Sequence, residues 1–218
     1  MNDTFSLFFD EKRAFFLDNQ DYFSSPLDLV YTRNIGAPDI GAKLTGKQQQ
    51  HSFAFFAAND EKTTFIVPGN LGSDVAVLDE ESTNAVLRDR YDLNADVSLG
   101  WISTLRQSED YHNYVHGLDL KYQWTAQDKF IAQLLRSDSQ YPTELAARLN
   151  DEAALRVGDK ALSDGAQYLA YEHENRNWSW YSRYQGLEQG FRADMGYQPQ
   201  TDTNKIVNGG SYPQGAMA

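Results

Sequence analysis

The feature that most limits how this chain can fold is strict two-residue alternation. In NWSWYSRYQ (177–185), Trp178, Trp180 and Tyr184 fall on one side of an extended backbone. Asn177, Ser179 and Arg183 fall on the other, with Tyr181 the only large ring on the polar side. Successive side chains of a strand point to opposite faces, so the segment predicts a two-faced strand. The same division recurs in HNYVHGLDLKYQW (112–124). There Tyr114, His116, Leu118, Leu120, Tyr122 and Trp124 oppose Asn113, Gly117, Asp119, Lys121 and Gln123. In ADVSLGWISTLR (95–106), Val97, Leu99, Trp101 and Leu105 oppose Asp96, Ser98, Thr104 and Arg106. The apolar faces await a core, a sugar or lipid.

Four hairpins follow from the same pattern. Residues 41–48 and 51–59 flank two glutamines, 83–91 and 95–106 flank DLN, 112–124 and 128–137 flank TAQ, and 165–174 and 177–185 flank NR. The connections between hairpins, 60–82, 107–111 and 138–164, include two long segments rich in Asp, Glu, Ser and Gly. Short turns alternating with longer loops are the pattern of an up-and-down barrel in an outer membrane. Leu and Ala at three-to-four spacing within PTELAARLNDEAALRVGDKAL (142–162) predict a short helix in the last of these.

Composition narrows the partners. A net charge of −12 lacks the basic footprint that nucleic acid requires. With no Cys there is no disulfide framework, thiolate metal site or cysteine nucleophile. No run of about 18 apolar residues predicts a membrane helix. MNDTFSLFFDEKR lacks the basic n-region of a signal peptide. Neither result bears on a membrane barrel, whose alternating strands average out as hydrophilic.

Most of the strands support about 9–12 residues, which suits a bilayer crossing better than the roughly 5–6 of soluble strands. Tyr122, Trp124, Phe130, Trp178, Trp180 and Tyr184 form the expected lipid-facing aromatic girdle near the short turns, with Leu118, Ala132, Leu134 and Ala170 further in. Lys43, Lys47, Asp119, Lys121, Asn177 and Arg183 are the expected lumen-facing polar residues. Mid-strand Trp101 and the run Arg88–Asp89–Arg90 do not fit this division.

Several blocks carry a resemblance: EKRAFFLDNQDYFSSPLDLVYTRNIG (11–36), GAKLTGK (41–47), LDEESTNAVLRDRYDL (78–93), DYHNYVHGLDLKYQW (110–124) and NWSWYSRYQGLEQGFRADMGYQPQTD (177–202). The chain resembles a bacterial domain family of unknown function. Members of that family are predicted outer-membrane-type β-barrels that usually follow a carbohydrate-binding module similar to family 9. Ala14 stands where that family commonly has Pro. The resemblance implies a piece of a longer protein: the amino-terminal module is absent, and NGGSYPQGAMA is not an aromatic-ended closing strand. It implies no catalytic residues.

Catalytic motifs read on their own merits give none either. Asp79, Glu80 and Glu81 read as solvated loop acids rather than a glycosidase pair. His112 and His116 lack a third zinc ligand. DLNADV has Val97 where a calcium loop needs Gly and Ser103 where it needs Glu. PGNLGS lacks the P-loop Lys. The expectation is therefore an all-β, antiparallel up-and-down meander forming a complete or partial transmembrane barrel. Residues 1–27 form a lead-in, 28–208 the strands, some eight to ten in number, and 209–218 a tail. It is expected to be a non-enzymatic, cofactor-free segment in the outer membrane of a Gram-negative bacterium, in contact with lipid. Its expected role is that of a solute conduit or membrane anchor, with carbohydrate reached through the absent module. The alternative is a soluble all-β carbohydrate-binding or glycoside hydrolase-associated module, with Trp178, Trp180 and Tyr184 as a stacking platform.

Overall fold

The computed structural model describes residues 11–68, 73–142 and 161–212. Its strands are β1 (Pro38–Gln48), β2 (His51–Asp60), β3 (Thr63–Pro68), β4 (Ser73–Leu78), β5 (Ser82–Asp92), β6 (Val97–Gln107), β7 (His112–Gln123), β8 (Asp128–Gln140), β9 (Leu162–Glu174), β10 (Ser179–Leu187) and β11 (Thr203–Ser211). Nine form one open sheet in the order β1-β2-β5-β6-β7-β8-β9-β10-β11, and every pair is antiparallel. The fold is all-β and a meander, interrupted once by the separate β3–β4 hairpin within 61–81.

All four hairpins read from alternation form in the register their turns dictate. Asn94 and Asn175 each accept two backbone N–H groups with the side-chain oxygen, which is how an Asx turn reverses a chain. Three features differ from the sequence expectation. Strands begin at Pro38 rather than at 28, because 28–37 is an irregular segment containing a 3-10 turn, Thr32–Asn34. The connection 60–82 contains β3 and β4, and β11 extends past 208 to Ser211. The helix expected within 138–164 falls mostly on residues outside those described, as does the centre of PGNLGS.

Antiparallel order places the connections on opposite rims. The connections β2–β5, β6–β7, β8–β9 and β10–β11 leave the sheet at one rim, and the short turns at the other. The two faces of the sheet differ sharply. On one, here the covered face, two parts of the chain pack against the strands: residues 11–37 and the long return 188–202. Phe16, Phe23, Ile35 and Met195 join Ala54, Phe56, Ala58 and Val86 in one cluster. Leu27, Leu29, Phe191 and Ala193 join Ile102, Val115, Leu135 and Ala166 in another. Apolar burial on one face thus comes from the chain's own irregular segments rather than from a second sheet.

Backbone hydrogen bonds tie these two segments together, Tyr31 N–H to Met195 O at 2.7 Å and Tyr197 N–H to Asp28 O at 3.3 Å. They approach so closely at Gly196 that a Cβ there would lie 2.2 Å from Asp28 O and 2.8 Å from Leu29 Cα. Gly36, by contrast, has nothing within 4 Å of its Cβ position. Gly196→Ala is therefore expected to destabilise the fold by about 2–3 kcal/mol, as forced overpacking does, whereas Gly36→Ala leaves stability near its starting value. Urea titration of the two variants under the same conditions measures the difference.

Candidate functional site

On the open face, side chains stand away from the rest of the chain and are largely apolar. Leu44 is 60 % exposed, Leu118 64 %, Leu134 62 % and Ile206 70 %. Phe55, Leu87, Leu99, Trp101, Leu169 and Trp180 continue the same surface. A soluble monomer rarely exposes a contiguous apolar patch spanning a whole sheet. Charges on this face are few and paired. Its carboxylates on the nine strands are Asp89, Asp128 and Asp138, and each meets a histidine: His51 Nδ1 at 3.0 Å, His173 Nδ1 at 2.7 Å and His112 Nε2 at 3.0 Å. The fourth histidine, His116, shares a 2.9 Å hydrogen bond with Ser103 Oγ. Arg136 is the one Lys or Arg on this face of the described strands.

The apolar belt crosses the strands obliquely. On β2 the polar boundary towards the long-loop rim is Asn59, and on β9 it is Gln167. The ladder from Gln167 runs through Leu134, Leu118, Trp101 and Asp89 to Phe53. Phe53 lies six residues from Asn59, and five strand-to-strand steps separate β2 from β9. At about 3.3 Å per residue and about 4.8 Å per strand, the boundary shifts roughly 20 Å over roughly 24 Å. The strands therefore tilt about 40° to the normal of the belt, within the range of closed barrels.

Of the six aromatic candidates, four lie on strands, on the face that alternation gave them. Tyr122, Phe130, Trp180 and Tyr184 project from the open face. Trp124 and Trp178 stand on the adjoining short turns. Trp178 stacks on His173 with centroids 4.2 Å apart, and Trp180 lies tilted on Tyr171 at 4.9 Å. Tyr184 donates its hydroxyl to Asn204 Oδ1 at 2.8 Å. Trp101, out of place in a girdle, belongs to the middle of the belt. The Arg88–Asp89–Arg90 run is resolved by alternation, with both arginines on the covered face and Asp89 outside.

Of the polar candidates, Lys43, Lys47, Asp119, Lys121 and Arg183 share the covered face. Asn177 does not. It sits in the turn before β10, where its backbone N–H donates to Asn175 Oδ1. Lys43 Nζ is held by the carbonyls of Phe15 and Asp18, which ties β1 to the N-terminal segment. Arg183 and Lys129 both bind Glu172, at 2.9 and 2.6 Å. Asp119 receives both ends of the Arg88 guanidinium, at 2.7 and 2.9 Å. That pair bridges β5 and β7 across β6 at Gly100, whose absent Cβ would lie 2.4 Å from Arg88 Nη1 and from Asp119 Oδ1.

Sequence reasoning missed a second, deeper polar cluster because its members are far apart in the chain. Asp194 Oδ2 accepts hydrogen bonds from Tyr111 and Tyr141, each 2.7 Å. Its backbone O accepts from Asn34 and its N–H donates to Asn113 Oδ1. Arg106, fully buried, donates to Thr64 O at 2.8 Å and Asn34 O at 3.0 Å and lies 3.8 Å from Asp60 Oδ2. Asp60 in turn accepts the N–H groups of Gly36 and Ala37. Burial pushes the Asp194 carboxyl above its usual range, and the two tyrosines and the guanidinium groups of Arg106 and Arg192 oppose that. The phenols of Tyr111 and Tyr141 are driven up by the same burial and by the neighbouring carboxylate.

A cleft of about 410 Å³ lies between the N-terminal segment and β1–β2, with Phe16, Phe23 and Phe56 against Glu11, Asp28 and Lys43. Burial raises the Asp28 carboxyl, while Val30 N–H opposes it. Glu11 is held down at about 2 against the burial that would raise it, through hydrogen bonds from Arg13 and Thr32. Among the described residues no group of three or more His, Asp or Glu could hold a metal ion. No described helix is long and apolar enough to cross a membrane. Comparison of the chain with family models, with curated proteins and with solved structures returns no match.

Two outcomes are expected. Asp119→Ala leaves the Arg88 guanidinium buried without its counter-charge, so urea unfolding should show a loss of about 3–5 kcal/mol. The double variant Arg88→Met with Asp119→Leu should recover most of it, since apolar residues of similar volume replace a buried pair at little cost. For Glu11, the folded-state pKa lies below the ordinary 4.5, so the unfolded state binds more protons in between. Its contribution is complete above 4.5 and is lost as pH falls towards 2. Amide exchange of the N-terminal segment should therefore accelerate through this acid window in the native protein, and much less in Glu11→Gln.

Proposed function

We propose that this chain is a membrane-spanning β-barrel segment of an outer membrane, with the open face against lipid and the covered face inside. It acts as an anchor filled by its own polypeptide rather than as an open conduit. The observation that carries the reading is the exposed apolar belt. It passes over nine strands, contains no unpaired carboxylate and keeps its single arginine at its upper boundary. A Lys or Arg facing lipid at the midplane costs roughly 2–4 kcal/mol, which is the penalty this distribution avoids. The oblique course of the belt supports the same reading, because strands in a closed barrel are inclined by about this angle.

Filling of the interior favours an anchor. Residues 11–37 and 188–202 occupy the covered face, and the Arg106–Asp60 and Asp194 contacts fix them to β2, β6 and β7. The long-loop rim faces the outside of the cell in this reading, as longer loops do in bacterial barrels. The carbohydrate association implied by the family resemblance rests on that resemblance alone. Enzyme activity has no residue assigned to it.

The four tryptophans make the test direct, because all lie on the open face or its adjoining turns. Single-Trp variants, with the other three replaced by Phe, are reconstituted into phosphatidylcholine vesicles brominated at mid-chain. Trp101 should be quenched most strongly, and Trp124, at 69 % exposure on a turn, least. Weak quenching equal at all four positions would place the sheet in water, where the tryptophans would serve a soluble sugar-binding module instead.

A further inference from the structure

At the short-turn end of the covered face, a pocket of about 260 Å³ lies between the N-terminal segment and strands β1, β2 and β5. Its floor is one cross-strand row: Lys47 stands opposite Ser52, and Ser52 stands opposite Arg90. Directly opposed positions on neighbouring strands are about 5 Å apart, so a hydroxyl separates two cations along one line. Asp21, Tyr22 and Ser24 of the N-terminal segment supply the wall. Arg88 completes the lining. Its Nε donates to Ser24 O at 3.3 Å, which ties wall to floor, and its terminal nitrogens are taken by Asp119.

Three cations thus line one pocket in a chain whose net charge is −12. Asp119 balances Arg88, but the other two are poorly matched. Arg90 meets Asp92 through Nε at 3.1 Å, and its two terminal nitrogens make no hydrogen bond among the described residues. Among the same residues, Lys47 Nζ and the Ser52 hydroxyl have no hydrogen-bond or ion-pair partner. The Asp21 carboxylate has none either, and it is the one acid of the described lining. An ammonium, a hydroxyl and the outer edge of a guanidinium form a donor set for an oxyanion. A concave site dominated by one sign of charge also concentrates its counter-ion.

We infer that this pocket binds inorganic phosphate. Lys47, Ser52 and Arg90 donate to its unprotonated oxygens, and Asp21 accepts from an oxygen that keeps its proton. Asp21 decides among oxyanions. Inorganic phosphate retains at least one O–H at neutral pH, and that group can face a carboxylate. Sulfate has no proton to offer and would set a charged oxygen against Asp21. A phosphate monoester, with a second pKa of about 6, has mostly lost its last O–H at neutral pH. A phospholipid phosphate has none, and the covered face is turned from lipid in the reading above. The volume also suits a small ion, being below the roughly 300–1,000 Å³ of pockets for drug-sized ligands. The site needs only β1, β2, β5 and the N-terminal segment, so it stands apart from the membrane reading. In that reading it opens on the periplasmic side.

Calorimetric titration of the purified full chain at neutral pH and constant ionic strength tests this, with inorganic phosphate, sulfate and methyl phosphate as titrants. Phosphate should bind about tenfold or more tightly than either of the others, roughly the worth of one charge-assisted hydrogen bond. Lys47→Gln and Arg90→Gln should each weaken phosphate by about tenfold, and both side chains are exposed, so the fold is kept. Asp21→Asn, also at an exposed residue, replaces the acceptor with an amide that can donate. Sulfate should then bind as well as phosphate. Equal binding of phosphate and sulfate by the native chain, or phosphate affinity unchanged in Lys47→Gln and Arg90→Gln, means an adventitious ion only and overturns the site. Methyl phosphate bound as tightly as phosphate, or no phosphate bound at about 10 mM, overturns it as well. None of these outcomes alters the tryptophan quenching that tests the membrane reading.

Discussion

Three distant parts of the chain meet at two buried charges, and the rest of the structure hangs on that meeting. Asp194 belongs to the return between β10 and β11, Arg106 to the end of β6, and Asn34 to the segment before β1. An isolated guanidinium or carboxylate could not stay in such a place, because several kcal/mol of lost hydration must be matched by near-perfect pairing. The matching comes from carbonyls, phenols and an amide as well as from opposite charge. Removing one member strands the others. This makes the cluster a better device for fixing where the two irregular segments lie than for adding net stability. Once they are placed, the apolar clusters around Met195 and Phe191 form on either side.

The covered face therefore solves a problem that the open face creates. If lipid lies outside, charged side chains on alternating strands must point inward, and they must find partners in a space without much water. Arg88 with Asp119, Glu172 with Arg183 and Lys129, and Arg106 with Asp60 are those partners. Outside, on the described strands, the same logic leaves three His–Asp pairs and Arg136 at the edge of the belt. A histidine opposite a carboxylate gives it a hydrogen-bonding partner, which a lone aspartate on the same face would lack.

Much of this was legible in the sequence. Period-two alternation assigned the face of Tyr122, Phe130, Trp180 and Tyr184 and of all the polar candidates except Asn177, while Trp124 and Trp178 fall, like Asn177, in turns. It also recovered four hairpins, since Asn94 and Asn175 sit where turns demand side-chain acceptors. The β3–β4 hairpin was hidden because Gly, Ser and acidic residues around it read as loop. The return 188–202 was hidden for a different reason. Phe191, Arg192, Ala193, Asp194 and Met195 show no period, since both alternate and consecutive side chains are buried. A segment enclosed on all sides carries no pattern that distinguishes in from out. Its partners Tyr111 and Tyr141 lie 83 and 53 residues away, beyond any local signal.

The obliquity of the belt lies between these cases. Each strand's apolar stretch can be read alone, but their mutual offset depends on register, which the turns fix only within each hairpin. Across 61–81, 108–111 and 141–161 the offset is set by tertiary contacts. Two such contacts can be named. Asp60, at the end of β2, is held by Gly36 and Ala37 beneath Arg106, and Ser108 joins Glu80 at 2.9 Å between the next two connections. A slip of two residues across 61–81 would preserve inside and outside yet move Asp89 from its place beside His51. A slip across 108–111 would part Arg88 from Asp119 over Gly100. The interior ion pairs thus choose, among the registers that alternation allows, the one that inclines the strands.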